Sequence, residues 1–180
     1  MFGENRASAI DTIDGITLVA HSIWVAVDGG TNANIAATLL RTKTAGADWN
    51  GSTSVSVVDD FSGQSYTVLF DRPTTVNVLI RVTIRGSSTV DDPGAAIRES
   101  VQRYARGDID GEEGFTVGAD VSPFEISAAI NVDNPSLFIT RVEVAMKEDT
   151  PVYSTDTLDI ALNQIAAIEA DSDITVVITS

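Results

Sequence analysis

The sequence contains no cysteine and only one histidine, His21, among its 180 residues. Without cysteine there is no disulfide framework, no thiol nucleophile and no cysteine-ligated zinc site. With one histidine, a single chain cannot supply two imidazole ligands to a metal. These absences exclude thiol chemistry and the common zinc centres.

Basic residues are scarce as well. Lys and Arg number 11 against 26 Asp and Glu, which gives a net charge of −15. Nucleic acid and anionic membranes both attract Lys and Arg, so neither is expected as a partner. Residues 1–8 lack a basic segment followed by an apolar run, and the most apolar stretch, 16–27, is shorter than a membrane helix. We therefore expect no signal peptide, and synthesis and assembly in the cytoplasm.

Aromatic residues are only 6 % of the chain, while hydrophobic residues reach 43 % and charged residues 21 %. This balance is typical of a chain with a packed core, and the abundance of Val, Ile and Thr favours strands. We predict an α+β fold with mixed or antiparallel sheets and two to three helices packed on them. The chain forms either one domain or two small subdomains.

Local patterns place the elements of this prediction. Residues 1–14 have no clear period and are expected to be a tail or linker. A β-α-β-β-β subdomain is predicted over 15–91, and an α-α-β-(β/α)-β subdomain over 92–180. Residues 76–85 alternate most regularly and predict a long strand with one solvated face. Residues 48–51 are expected to form a turn, and 157–169 fit either a strand or a helix.

Helix-start signals stand at Thr31 or Asn32, at Asp91 or Asp92 before Pro93, and at Pro123. Gly46 is the expected helix stop after the first of these, and a polar loop is expected over residues 86–93. The residues Asp59 to Gly63 predict a hairpin loop between two strands.

His21 is the only imidazole base available to a serine hydrolase, and the chain has no G-x-S-x-G motif. The histidine lies in a predicted strand, where a structural role is the alternative to catalysis. The Asp28-Gly29-Gly30 turn lacks both phosphate-binding glycine fingerprints, so it predicts a tight turn rather than a nucleotide site. We expect no enzyme activity, no cofactor and no small-molecule substrate.

The densest carboxylate cluster, residues 108–114, contains Asp108, Asp110, Glu112 and Glu113. Its spacing fails the EF-hand pattern, since Gly111 is at position four of such a loop. The cluster is either a solvated acidic loop or a weak Ca²⁺ or Mg²⁺ site. In the second case the chain would be a small acidic binding module.

Three arginines, Arg72, Arg81 and Arg85, are near one another in sequence, and the last two share a strand face. On an acidic protein, such a basic stripe is either solvated and paired locally or marks the contact with an acidic partner.

One ordered set of motifs begins with Gly15-Ile16, residues 21–30 and Ile35-Ala36, followed by residues 43–46, Asn50-Gly51 and residues 55–58. It continues through Gly63, residues 68–73, Ile97, Tyr104 and residues 173–176. In this order and spacing, the set resembles the baseplate J-like proteins of contractile-tailed phages. The resemblance covers about residues 10–180 and corresponds to the C-terminal half of family members, which are about twice as long. Ala20 stands where the family usually has proline.

The resemblance implies a structural wedge subunit of a phage or prophage tail baseplate. Such a subunit acts through contacts with other baseplate and tail subunits and through self-association in the particle. The family has no catalytic residues to carry over. The resemblance also implies location in the virion tail baseplate.

Overall fold

The computed structural model describes residues 1–43, 46–86 and 90–179. Within these ranges it has three α-helices and eleven strands, in sheets with both parallel and antiparallel pairs. The predicted α+β fold is confirmed. Two predicted features fall partly outside the described residues: Thr44 and Ala45 of the 43–46 turn, and residues 87–89 of the 86–93 loop.

Two compact units divide the chain. Unit 1 comprises Met1–Thr74 with Leu162–Gln164, and unit 2 comprises Thr75–Ala161 with Ile165–Ser180. The predicted subdomain boundary at residue 91 is therefore wrong. The long strand that we assigned to the first subdomain contributes its buried face to the core of unit 2, and residues 162–164 return to unit 1.

The described part of unit 1 contains seven short strands. They are β1 (Phe2–Asn5), β2 (Asp11–Ile13), β3 (Ile16–Leu18), β4 (Ser22–Val25), β5 (Asp48–Asn50), β6 (Thr53–Val58) and β7 (Ser65–Phe70). Strand β4 is central to one sheet, with β1 antiparallel on one edge and β5 parallel on the other. Strands β2 and β3 form one hairpin, and β6 and β7 form another, as the 59–63 loop predicts.

Residues 1–14 are not the tail or linker that we predicted, because they carry β1 and β2. A buried side chain anchors this region: the Asn5 amide nitrogen donates to the carbonyl oxygens of Ala9, Leu18 and Val19. The predicted turn at 48–51 is likewise a strand, β5, whose pairing with β4 fixes an extended backbone. Neither segment shows the alternation of apolar residues by which strands are recognised.

Helix α1 (Asn32–Thr42) begins at the predicted cap, where the Thr31 hydroxyl accepts from the Asn34 backbone nitrogen. It ends at Thr42, before Gly46. Its buried Ala36 packs with Val68 and Phe70 of β7. This small cluster is the core beneath the β6–β7 hairpin.

Unit 2 is organised by β8 (Thr74–Arg85), whose first residue belongs to unit 1. Strand β9 (Phe138–Met146) pairs antiparallel with β8, and β11 (Ile174–Thr179) pairs parallel with it. Strand β10 (Gln164–Ala167) also pairs with β8. The range 157–169, which fitted either a strand or a helix, therefore contains a strand, β10, and no helix. A short 3₁₀ helix, Asp171–Asp173, precedes β11.

Helices α2 (Pro93–Ala105) and α3 (Pro123–Asp133) contribute buried faces to the core of unit 2. Helix α2 starts as predicted, with Asp92, one of the two predicted caps, before Pro93. Helix α3 begins at the predicted Pro123, and Ser122 caps it. The alternating residues Val78, Ile80, Val82 and Ile84 of β8 are fully buried in this core. In the described ranges, no helix has both the length and the apolarity to cross a membrane.

Candidate functional site

Arg72 holds a turn of its own unit rather than presenting a charge to solvent. Its guanidinium donates to the carbonyl oxygens of Val27 (3.0 Å), Gly29 and Gly30 (2.8 Å) and twice to Asn32 Oδ1. These five bonds use its full set of N–H donors. Its donors therefore close the glycine turn before α1, and its predicted place in a partner interface stays a prediction.

The same region contains a second link between distant segments. The Trp24 indole nitrogen donates to Asp71 Oδ2 at 2.6 Å, and Asp71 Oδ1 accepts from the Ser52 backbone nitrogen. Partial burial disfavours the Asp71 anion, but the hydrogen bonds from Trp24 and Ser52 outweigh it and lower its pKa. Asp71 and Arg72 thus connect the end of β7 to β4 and to the glycine turn.

Arg81 is on β8 opposite Glu143 of β9 and forms a bidentate pair with it, at 2.8 and 2.9 Å. The Arg81 guanidinium also lies 4.0 Å from the ring centre of Tyr153. Glu143 is buried, and its hydrogen bonds from Arg81 lower the pKa of its carboxyl group. Arg81 is therefore largely committed to stabilising a buried anion.

Arg85 has a different environment. Its guanidinium lies 4.1 Å from the ring centre of Phe138, its register partner on β9, and among the described residues it makes no ion pair. Arg141, opposite Thr83, is also exposed, and its nearest ion-pair distance is 3.5 Å, to Glu143. Its charge is thus only weakly paired, because Glu143 is already bound by Arg81.

We name the group Arg81, Thr83, Arg85, Phe138 and Arg141 the arginine face. Its three arginines share one neighbouring carboxylate, that of Glu143, so the face carries excess positive charge. The chain as a whole has a net charge of −15. Arginine and aromatic side chains are the types that most often dominate protein interfaces. The arrangement can bind an acidic surface of a partner.

Sequence reasoning found Arg81 and Arg85 but missed the contributions of β9 and of Tyr153. Arg141 and Glu143 are two residues apart, as neighbours on one strand face must be, and this spacing was the available signal. That spacing does not give the strand register, which places Glu143 opposite Arg81.

The acidic loop does not gather its four carboxylates into a site. Asp108 pairs with Arg106 at 2.8 Å, and the intervening Ile109 is buried in the core, which directs its neighbours outwards. Across the described parts of the chain, no three Asp, Glu or His residues are placed to hold a metal ion. The predicted weak Ca²⁺ or Mg²⁺ site at Asp108, Asp110, Glu112 and Glu113 therefore has no geometric basis.

An open cavity of about 570 Å³ adjoins this loop. Glu112, Glu113, Asp120 and Glu125 line it, together with Tyr104, whose hydroxyl donates to Glu125 at 2.8 Å. Burial and the nearby Glu125 raise the pKa of Tyr104, so its hydroxyl stays protonated. The lining contains four carboxylates and no basic side chain, so its charge favours cations.

His21 is exposed and adopts a φ of 50° immediately before β4. Its side chain forms no hydrogen bond within the residues that the structure describes. The adjacent Ser22 hydroxyl donates to the Val19 carbonyl oxygen and accepts from Asn50, so it is not paired with the imidazole. The histidine therefore lacks the contacts of a hydrolase base.

Comparison with known proteins adds no assignment: no protein-family model matches the chain, and no curated protein matches it either.

Proposed function

We propose that this protein is a non-enzymatic structural subunit of a contractile-tail baseplate, in a phage or a prophage-derived particle. It acts through protein–protein contacts in the assembly of wedge and hub. The support is the ordered set of motifs along residues 10–180 that resembles the baseplate J-like family.

One structural observation carries the proposal. The motif residues of unit 1 are far apart in sequence, yet they contact one another directly. Arg72 of a later motif donates to the carbonyl oxygens of Gly29 and Gly30 of the first, and all three residues stand at positions that carry the resemblance. This contact supports the proposal because it is expected if the matched positions form one inherited framework.

The arginine face supplies a surface for assembly. Arg85 and Arg141 have little local compensation, and Phe138 adds exposed apolar area beside them. Such a face suits an acidic surface on another baseplate or tail subunit, or on a second copy of this acidic chain. In this proposal the subunit works in the virion tail baseplate, after synthesis in the bacterial cytoplasm.

A deletion experiment tests the proposal. The coding sequence is removed from the cells of origin, particle formation is induced, and electron microscopy scores contractile tails and baseplates. We expect tails with absent or incomplete baseplates, restored by the wild-type chain supplied from a plasmid. Complete baseplates in the deletion strain, in number equal to the parent, would overturn the proposal.

A further inference from the structure

The end of the β6–β7 hairpin exposes an unusual amount of apolar surface. The Phe61 side chain at its tip is 97 % exposed, which leaves it with almost no contact inside its own chain. Val58 and Tyr66, on the two strands that flank the loop, are 60 % and 45 % exposed. Since none of this area serves the core beneath the hairpin, it is available to a partner.

The backbone that presents Phe61 is held in place by local hydrogen bonds. Asp59 Oδ2 accepts from the backbone nitrogen of Ser62 at 3.0 Å and from its hydroxyl at 2.6 Å. The Asp59 backbone closes the loop by accepting from Gly63 and donating to Gln64. The two hydrogen bonds from Ser62 lower the pKa of the Asp59 carboxyl group, which is therefore an ionised acceptor at neutral pH. Ordering this loop upon binding therefore costs little entropy.

The charge around Phe61 restricts the type of partner. Residues 53–70 contain Asp59 and Asp60 and no Lys, Arg or His. An apolar side chain beside two carboxylates fits an apolar pocket with Lys or Arg on its rim. The same two carboxylates oppose insertion into an anionic membrane surface.

We propose that Phe61 is an anchor that inserts into an apolar, basic-rimmed pocket of a neighbouring protein subunit. The inference rests on the proposed function, because it takes that neighbour to be another subunit of the tail particle. It adds a specific contact point in unit 1, whereas the arginine face belongs to unit 2. Large aromatic anchors commonly carry much of the binding energy of an interface.

Incorporation into particles tests this anchor. Wild type, Phe61→Ser and Phe124→Ser chains are each supplied to deletion cells, and quantitative mass spectrometry measures each chain relative to the major tail protein. Phe124 is the matched control, an 82 % exposed phenylalanine on α3. Phe61→Ser should enter particles at least about tenfold less than wild type, and Phe124→Ser at the wild-type level. Thermal unfolding of the purified variants checks that both retain the fold.

Two charge-reversal variants provide a second test of the basic rim. Asp60→Lys places a cation against the basic rim and should also reduce incorporation, whereas Asp149→Lys, at an exposed position in unit 2, should not. If wild type enters particles and Phe61→Ser enters equally well, the anchor is overturned while the proposed function stands. If wild type itself fails to enter, both are overturned.

Discussion

The indole nitrogen of Trp24 donates a 2.6 Å hydrogen bond to Asp71 Oδ2, and this bond ties β4 to the residue that follows β7. Trp24 is only 2 % exposed, so its indole nitrogen has limited access to water if Asp71 is removed. A buried donor without an acceptor costs more than the net value of the lost bond.

Asp71→Ala should therefore lower the free energy of unfolding by about 1–3 kcal/mol. Urea denaturation followed by tryptophan fluorescence measures the change, with Asp60→Ala as the exposed control. A loss no larger than that of the control would contradict the structural role given to this bond.

Arg72 should not be replaceable by lysine. Its planar fork reaches the carbonyl oxygens of Val27, Gly29 and Gly30 together, and an ammonium group cannot reproduce that geometry. We expect Arg72→Lys to destabilise the protein by about 2 kcal/mol and Arg41→Lys, on the exposed side of α1, to have little effect. Thermal unfolding measures both variants, and equal midpoints would contradict the stabilising role given to the Arg72 hydrogen bonds.

Glu143 should make stability depend on pH in the acid range. Its hydrogen bonds from Arg81 lower the pKa of its carboxyl group below the ordinary value of 4.5, so the folded state binds fewer protons than the unfolded state. Its contribution is therefore complete above about pH 4.5 and is lost as pH falls through the lowered folded-state pKa.

Urea denaturation of wild type and Glu143→Gln checks this sign. We expect wild type to be more stable by about 1–3 kcal/mol at neutral pH, with the difference shrinking towards about pH 3. The exposed Glu148→Gln variant serves as control and should show no such trend. A wild-type advantage that persists undiminished in acid would contradict the prediction.

Two glycines of the acidic loop should respond differently to alanine. A Cβ at Gly114 would meet the Tyr104 carbonyl oxygen and lie 2.5 Å from the Gly107 backbone nitrogen, whereas one at Gly111 would meet nothing within 4 Å. Both residues have positive φ, which alone costs about 1–2 kcal/mol.

We expect Gly111→Ala to lose about that amount and Gly114→Ala to lose clearly more, because the backbone itself must move. Thermal unfolding distinguishes the two variants. Equal losses would mean that the close approach of Gly114 to the α2 end is not rigidly maintained.

Much of the fold could be predicted because the sequence patterns that indicate its helices and strands are local. The caps at Thr31 and Asp92, the 59–63 hairpin loop and the alternation along β8 each arise within one element. Strands β1 and β5 were missed because their extended backbone is imposed by pairing with β4, and no periodic apolar pattern accompanies it.

The candidate surfaces were predictable only in part. The face shared by Arg81 and Arg85 follows from strand periodicity, but the burial of Glu143 depends on a register between strands 62 residues apart. The local partners of Arg72 could not be predicted, because the oxygen atoms it binds belong to a turn some 40 residues earlier. Such contacts are decided by tertiary packing.

The most direct test of the central claim is the composition of purified particles. Particle formation is induced in the cells of origin, tails are isolated on a density gradient, and mass spectrometry quantifies this chain in each fraction. The account predicts that the chain co-migrates with the tail proteins at a fixed ratio across the peak. Intact tails that lack the chain would contradict it.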